Sequence, residues 1–381
     1  MVPGEDRCMR PVLSLAICLI ALACSGCASR PPQLRWEPLP LGTDASFEDL
    51  WFADSLHGWI VGGSYQVDGG LIGRTRDGGL TWEFSSGMFG SKTGLSVQAV
   101  WFLDQARGFA TAENGMIYAT RDGGGTWDRV HFGRGSLDNL SDFDFVDERN
   151  GFAAGRSGVI RTVDGGATWN PVVDPPGDSH LGAWAVDFVD GRTGWIAGQD
   201  NRLMKTEDGG FTWSRASAPL DPKSPVFLFD VQFLDRDTGW VVGSEGTVLH
   251  TTDGGATWSR VETGVAGARS ESRPEVIERR AGVRDTIDTG QRTPGLFLTG
   301  VRFLDARRGW IVGHFGYEGR SIVLRTEDGG ATWTTEGDVE GEEMRALFVL
   351  DESHAWTVGD RDRPGPQVLL RYRPDTASTG G

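Results

Sequence analysis

Between residues 229 and 261, four short runs rich in Val, Phe, Thr and Trp are separated by Asp and Gly: Phe229 to Leu234, Gly239 to Gly243, Thr247 to Thr251 and Thr257 to Val261. β-Branched and aromatic runs bounded by turn formers predict strands, so this stretch predicts four in succession. The pattern recurs along the chain. Thr-x-Asp-Gly-Gly-x-Thr-Trp occurs six times, with its aspartates at Asp77, Asp122, Asp164, Asp208, Asp253 and Asp328, spaced 45, 42, 44, 45 and 75 residues apart. An aromatic-x-Asp followed by Gly-Trp or a close variant precedes every copy, at Phe52/Trp59, Phe102/Phe109, Phe145/Phe152, Phe188/Trp195, Phe233/Trp240 and Phe303/Trp310. A seventh occurs alone, at Val349-Leu350-Asp351 with Trp356. Four strands per ~44 residues is the arithmetic of a propeller blade, so the chain is expected to be an all-β, seven-bladed β-propeller.

The seventh unit carries three strands, Arg345 to Leu350, Ala355 to Val358 and Gln367 to Tyr372, and lacks the fourth. Gln33-Leu34-Arg35-Trp36-Glu37 looks like the strands that close the other units. It is expected to complete blade seven, with Trp36 beside Leu369 to Tyr372, removing the exposed edges of an open array. The blades then cover about 47–84, 97–130, 141–173, 183–216, 227–261, 297–336 and 344–373 plus 33–39.

The Asp-Gly-Gly turn has a local mechanism. The aspartate carboxylate and the first threonine hydroxyl can accept bonds from turn N–H groups, while the glycines supply positive φ. The tryptophan that follows packs between blades. Six near-identical copies mark these aspartates as scaffold.

The chain has 56 glycines among 381 residues, and Lys+Arg 37 against Asp+Glu 53 gives a net charge of −16. So acidic a chain repels phosphates, which argues against nucleic acid as a partner. All four cysteines, Cys8, Cys18, Cys24 and Cys27, precede residue 28, so the body holds no disulfide framework. Arg10, the apolar run Val12 to Ala23 and the small residues after it read as an export signal over residues 1–26. Twelve apolar residues fall short of the ~20 that span a bilayer. Ser-Gly-Cys ending the run is similar to the bacterial lipoprotein cleavage box, which makes Cys27 the expected lipidation site, with Cys24 the alternative. Residues 27–32 then form a tether to the membrane and 374–381 a disordered tail. Ala28 after the cysteine would, by resemblance to enterobacterial sorting, favour the outer membrane of a Gram-negative host.

The box resembles the Asp box, or bacterial neuraminidase repeat. Its coupling to Phe-x-Asp-x-x-x-Gly-Trp-x-x-Gly resembles the photosystem II assembly and stability factor family, which forms seven-bladed propellers. The likeness covers about residues 33–373. It implies a noncatalytic assembly factor that holds a protein partner by an arginine-rich patch; with the lipid anchor, the expectation is a membrane-anchored monomer that assists assembly of a membrane or envelope complex. Just before each box stand Arg74, Ala119, Arg161, Lys205, His250 and Arg325, with Arg371 in the corresponding place of the seventh unit. Arg74, Arg161, Lys205, Arg325 and Arg371 are the candidates for a basic ring. The innermost strands oppose them with Asp49, Asp142, Asp144, Asp187 and Asp230 and a single Arg302.

Asp boxes also occur in sialidases and glycanases, so a glycan-binding or glycan-cleaving propeller is the alternative. The chain has four tyrosines and no Arg-Ile-Pro start in its first blade. Its six histidines show no metal-ligand spacing, and no cofactor, metal or catalytic residue is expected.

Loop lengths point to a face. The box joins strands three and four at one rim, so the loop between strands two and three and the connection to the next blade lie at the other. Gly243 to Thr251 and Gly198 to Thr206 are 8 residues apart, whereas Gly62 to Thr75 and Gly313 to Thr326 are 13, and blade seven carries Asp360 to Pro366 in the same place. The connection from Trp258 to Phe303 is 45 residues against 18 to 20 earlier, its excess a charged insertion loop over 262–296. Long loops in compact domains are commonly functional. Tyr65, Phe315, Tyr317, Arg363, Arg279 and Arg280 are therefore the expected partner-binding residues.

Overall fold

A computed structural model of the protein describes residues 35–64, 67–86, 96–133, 139–156, 158–172, 182–265, 272–279, 283–292, 295–316, 319–340, 342–360 and 367–374. Seven four-stranded antiparallel sheets follow one another along the chain, giving the expected seven-bladed propeller. The fifth blade runs Leu228–Phe233, Gly239–Gly243, Val248–Thr251 and Ser259–Arg260 from the inner to the outer strand. Blade seven takes Glu343–Asp351, His354–Asp360 and Val368–Tyr372 from the C-terminal region and Trp36–Pro40 as its outermost strand. The closing strand pairs Trp36 with Tyr372 and Leu39 with Leu369, about three residues later than the expected Gln33–Glu37. Pro38 and Pro40 are tolerated there because the outermost strand has one edge without a ladder partner.

The Phe-x-Asp-x-x-x-Gly-Trp-x-x-Gly motif is explained position by position. Its aspartate caps the turn between strands one and two: Asp54 Oδ1 accepts the N–H groups of Leu56 and His57, both at 2.8 Å. Its first glycine lies beneath the phenylalanine ring, where a Cβ on Gly58 would stand 2.4 Å from Phe52. Its second glycine faces a bulge of the inner strand. A Cβ on Gly243 would sit 2.2 Å from the carbonyl oxygen of Phe227, and the register shifts between Leu228 and Asp230.

The six boxes are one structure repeated. Each aspartate accepts the first threonine's hydroxyl at 2.8–2.9 Å. That hydroxyl accepts the second glycine's N–H at 2.8–3.0 Å. The two glycines have φ of +69 to +91°, a region unfavourable for other residues. Thr126, through its N–H and hydroxyl, holds Asp122 at a pKa of about 2, so the boxes are anionic clamps.

Aromatic residues join the blades. Trp195 stacks on Phe233 of the next blade with centroids 3.4 Å apart, and Trp258 meets the same phenylalanine edge-on at 5.8 Å. Trp59 on Phe102, Phe152 on Phe188 and Trp240 on Phe303 repeat the stack at 3.5–3.6 Å. Several of these indoles also reach the next blade's box: Trp59 Nε1 donates to the Gly123 carbonyl and Trp240 Nε1 to that of Gly329. The box tryptophan thus packs where expected, and its first glycine carbonyl receives the preceding blade.

Within the expected insertion loop, Ser272–Arg279 and Val283–Arg292 pair as an antiparallel hairpin. Blades one and six lengthen their second hairpins, pairing Ser64 with Val67 and Phe315 with Arg320. Among the described residues, no helix is long and apolar enough to cross a membrane.

Candidate functional site

The inner strands of all seven blades enclose an axial cavity of about 280 Å³. Two layers of side chains line it. In the first, Asp49 Oδ2 accepts the N–H of Val100, Asp142 Oδ2 that of Val186 and Asp230 Oδ2 that of Val301, at 2.8–2.9 Å. In the second, Asp144 Oδ2 accepts the N–H of Phe188, Asp187 Oδ2 that of Phe233 and Gln232 Oε1 that of Phe303. The channel carboxylates therefore fasten blade one to two, three to four, four to five and five to six, where no sheet ladder runs, while Thr111 and Thr299 donate to the Leu140 and Met344 carbonyls across two of the other seams.

Burial raises the pKa of each of these carboxyls. Asp49 and Asp144 are pushed up to about 7. Asp142 and Asp187 rise well above the ordinary carboxylate range, helped by the nearby charges of Asp230 and Asp144 respectively. Asp230 is also raised by burial, against the pull of Arg302, whose Nη1 donates to its Oδ2 at 2.6 Å. Opposite this polar wall stand Trp51, Trp101 and Phe348. Trp51 lies 4.0 Å from Trp101 and 4.8 Å from Phe348 between ring centroids. The carboxylates and Arg302 were legible as inner-strand residues. The aromatic arc was not, although Trp51 and Trp101 directly precede Phe52 and Phe102, where blades three to six carry Asp, Gln or Arg.

The candidate basic residues occupy one equivalent position, each opposite the aromatic of its neighbouring second strand. Arg74 pairs with Glu83 at 2.8 Å, Lys205 with Glu207 at 3.0 Å, Arg325 with Glu327 and Glu336, and Arg371 with Glu37. Arg161 reaches Asn150 and lies 5.4 Å over the Phe152 ring. These cations pack at blade seams, four of them against acids.

Of the expected partner-binding residues, Tyr65, Arg280, Tyr317 and Arg363 lie outside the described residues, as does Cys27; Arg279 ends the first strand of the insertion hairpin. Phe315 is 4% exposed and packs into the core of blade six with the Arg320 guanidinium 4.7 Å over its ring. Its ring belongs to the interior, because lengthening the blade-six hairpin carries the sheet, and with it the core, past this position. On the same rim, Arg345 of blade seven bridges Glu48 of blade one at 3.0 Å and Asp360 at 3.3 Å. His314 lies close by with its Nδ1 4.0 Å from Glu343, and burial lowers its pKa to about 4. Further round the rim, Trp184 stacks on Phe227 and Phe229 at 5.3 and 5.0 Å, and Phe227 is 41% exposed. This aromatic strip carries no motif that marks it in the sequence. Among the described residues, no group of three His, Cys, Asp or Glu is arranged to hold a metal ion.

Comparison with known proteins places this geometry in a family. The chain matches the family described as photosynthesis system II assembly factor YCF48 over residues 28–137, 134–226 and 178–271. It is 43% identical over 89 residues to the photosystem II assembly lipoprotein Ycf48 of Synechococcus sp. (strain CC9902), covering 23% of this chain and 26% of that protein. It is 34% identical over 91 residues to the chloroplastic photosystem II stability/assembly factor HCF136 of Arabidopsis thaliana, covering 23% of this chain and 22% of that one. These matches span about a quarter of the length of the curated relatives. In fold, the chain is similar to the solved structure of YCF48 bound to D1 peptide, with a TM-score of 0.64 and 18% identity over 91% of this chain and 96% of that one. YCF48 from Cyanidioschyzon merolae gives a TM-score of 0.60 and 18% identity over 89% and 99% of the two chains. The matched segments together run from residue 28 to 271, more than half of the sequence, and the chain belongs to the photosynthesis system II assembly factor YCF48 family.

Proposed function

We propose that the protein is a noncatalytic propeller that binds a segment of a membrane-protein partner and assists assembly of the complex to which that partner belongs. The observation that carries this reading is the family match together with a fold shared, over nearly the whole chain, with a relative solved in complex with a D1 peptide. A second part of the proposal is that lipid on Cys27 tethers the propeller to a membrane, which the lipoprotein names of two relatives support. The channel adds a physical reason for a binding role: its carboxylates are occupied in holding neighbouring strands together.

The partner surface is proposed on the rim opposite the boxes, where the lengthened hairpins of blades six, seven and one are neighbours. In sequence, Tyr65, Tyr317 and Arg363 lie between the second and third strands of these blades, and Arg280 follows Arg279, the last residue of the first insertion strand. Capture of membrane proteins on the immobilised chain tests the reading. The intact chain should retain one integral membrane protein, and deletion of Ser270 to Thr293 should weaken its capture while leaving the melting temperature nearly unchanged. Hydrolysis of a glycan panel, lost on carboxylate substitution, would instead make the protein a glycosidase.

A further inference from the structure

The axial cavity is asymmetric in a way that strand fastening does not require. At the level directly before the interblade phenylalanine, blades three, four and five carry Asp144, Asp187 and Gln232, and each accepts a backbone N–H from the next blade. Blades seven, one and two carry Phe348, Trp51 and Trp101 at that level. Carbon rings cannot accept such a bond; these three join their blades by packing Trp51 on Trp101 and Phe348, and they still present ring surface to the cavity. All three are half-buried and line the cavity. Leaving large aromatic surface against a void forgoes about 25 cal/mol for every Å² that a ligand could cover.

The opposite wall defines what would fit. Asp142, Asp144 and Asp187 face the same cavity, and Arg302, already bonded to Asp230, is the cation among its lining residues. A neutral apolar guest would desolvate carboxylates and give them nothing in return. An anion would meet their repulsion. A bare metal ion would leave the rings uncovered. An ammonium ion bearing methyl groups satisfies both walls, since aromatic faces attract cations and carboxylates balance the charge. The cavity's size, near the ~300 Å³ lower bound for small-molecule pockets, suits a compact ion.

We propose that the axial channel binds a small alkylated ammonium ion, with its methyl groups against Trp51, Trp101 and Phe348 and its charge toward Asp142, Asp144 and Asp187. This site goes beyond the partner-binding reading and stands or falls without it.

Calorimetric titration of the full chain tests it, with choline chloride and with 3,3-dimethylbutan-1-ol, which has the same shape without the charge. Choline should bind saturably at about pH 8 and at least about tenfold more tightly than the alcohol, a difference of ~1.4 kcal/mol. Its affinity should fall toward about pH 5.5, where raised carboxyl pKa values leave the wall protonated. Asp144→Asn, whose amide oxygen can still accept the Phe188 N–H, should weaken choline binding several-fold without lowering the melting temperature. Trp51→Leu should weaken it as well. No saturable binding of choline, equal binding of the neutral alcohol, or unchanged affinity in Asp144→Asn would each overturn the proposal.

Discussion

Trp356 lies flat on Phe52, ring centroids 3.7 Å apart and planes 5° apart, while its Nε1 donates to the Gly78 carbonyl at 3.1 Å. These two residues are 304 positions apart in the chain, and their stack is where the last blade meets the first. Both rings are at most 1% exposed. Trp356→Ala should therefore cost roughly 3–5 kcal/mol of folding stability, read by urea denaturation. Leu80→Ala, at an exposed box tip, should change it by less than about 0.5 kcal/mol.

Glycine toward the end of the second strand is a steric requirement in six blades, whereas blade two carries Ala112 there, opposite a wider register shift between Val97 and Val100. At Gly243 the added methyl of alanine would meet the Phe227 carbonyl oxygen at 2.2 Å and Leu228 Cα at 3.2 Å. These are backbone atoms, so the inner strand itself must shift. Gly243→Ala should destabilise by roughly 1–3 kcal/mol, seen as a lower denaturation midpoint. Gly42→Ala meets no atom within 4 Å, and its cost arises only from φ of +73°.

Stability should fall as pH rises through about 7. Raised native pKa values mean that the folded state holds channel protons more tightly than the unfolded chain does. The stabilisation is complete below about pH 4 and is lost as pH passes about 7 for Asp49 and Asp144. The box carboxylates act oppositely: with Asp122 at about 2, their contribution is present above about pH 4 and lost as pH falls through about 2. His314, lowered to about 4 by burial, contributes its change below about pH 6.5. Between about pH 6.5 and 8.5 the channel acids thus dominate. The melting temperature should decline across that window, and Asp144→Asn should flatten the decline. A rise with pH, or the same slope in the variant, would count against raised channel pKa values.

The repeats made the blade count readable because each motif residue has a local duty: an aspartate cap, a glycine beneath a ring, a glycine against a bulge. The closing strand was readable for a similar reason, since Trp36 marks it, but its register was not. Pairing of Trp36 with Tyr372 is set by packing in blade seven, where Trp36 and Trp310 both lie against the Tyr372 ring. Phe315 shows the limit of reasoning from loop length. A longer connection can extend the sheet as readily as it exposes a side chain, and here it buries one. Trp51, Trp101 and Phe348 are not legible in the sequence, because an aromatic residue on an inner strand looks like core until the ring closes around a cavity.

The proposed partner face is tested most directly by photo-crosslinking in the native host. A benzoylphenylalanine in place of Tyr317, one of the proposed partner-binding residues, is compared with one in place of Leu80 on the box rim. The account predicts a crosslink from position 317 to one integral membrane protein and none to it from position 80. A crosslink from position 80 alone, or from neither position, would contradict it.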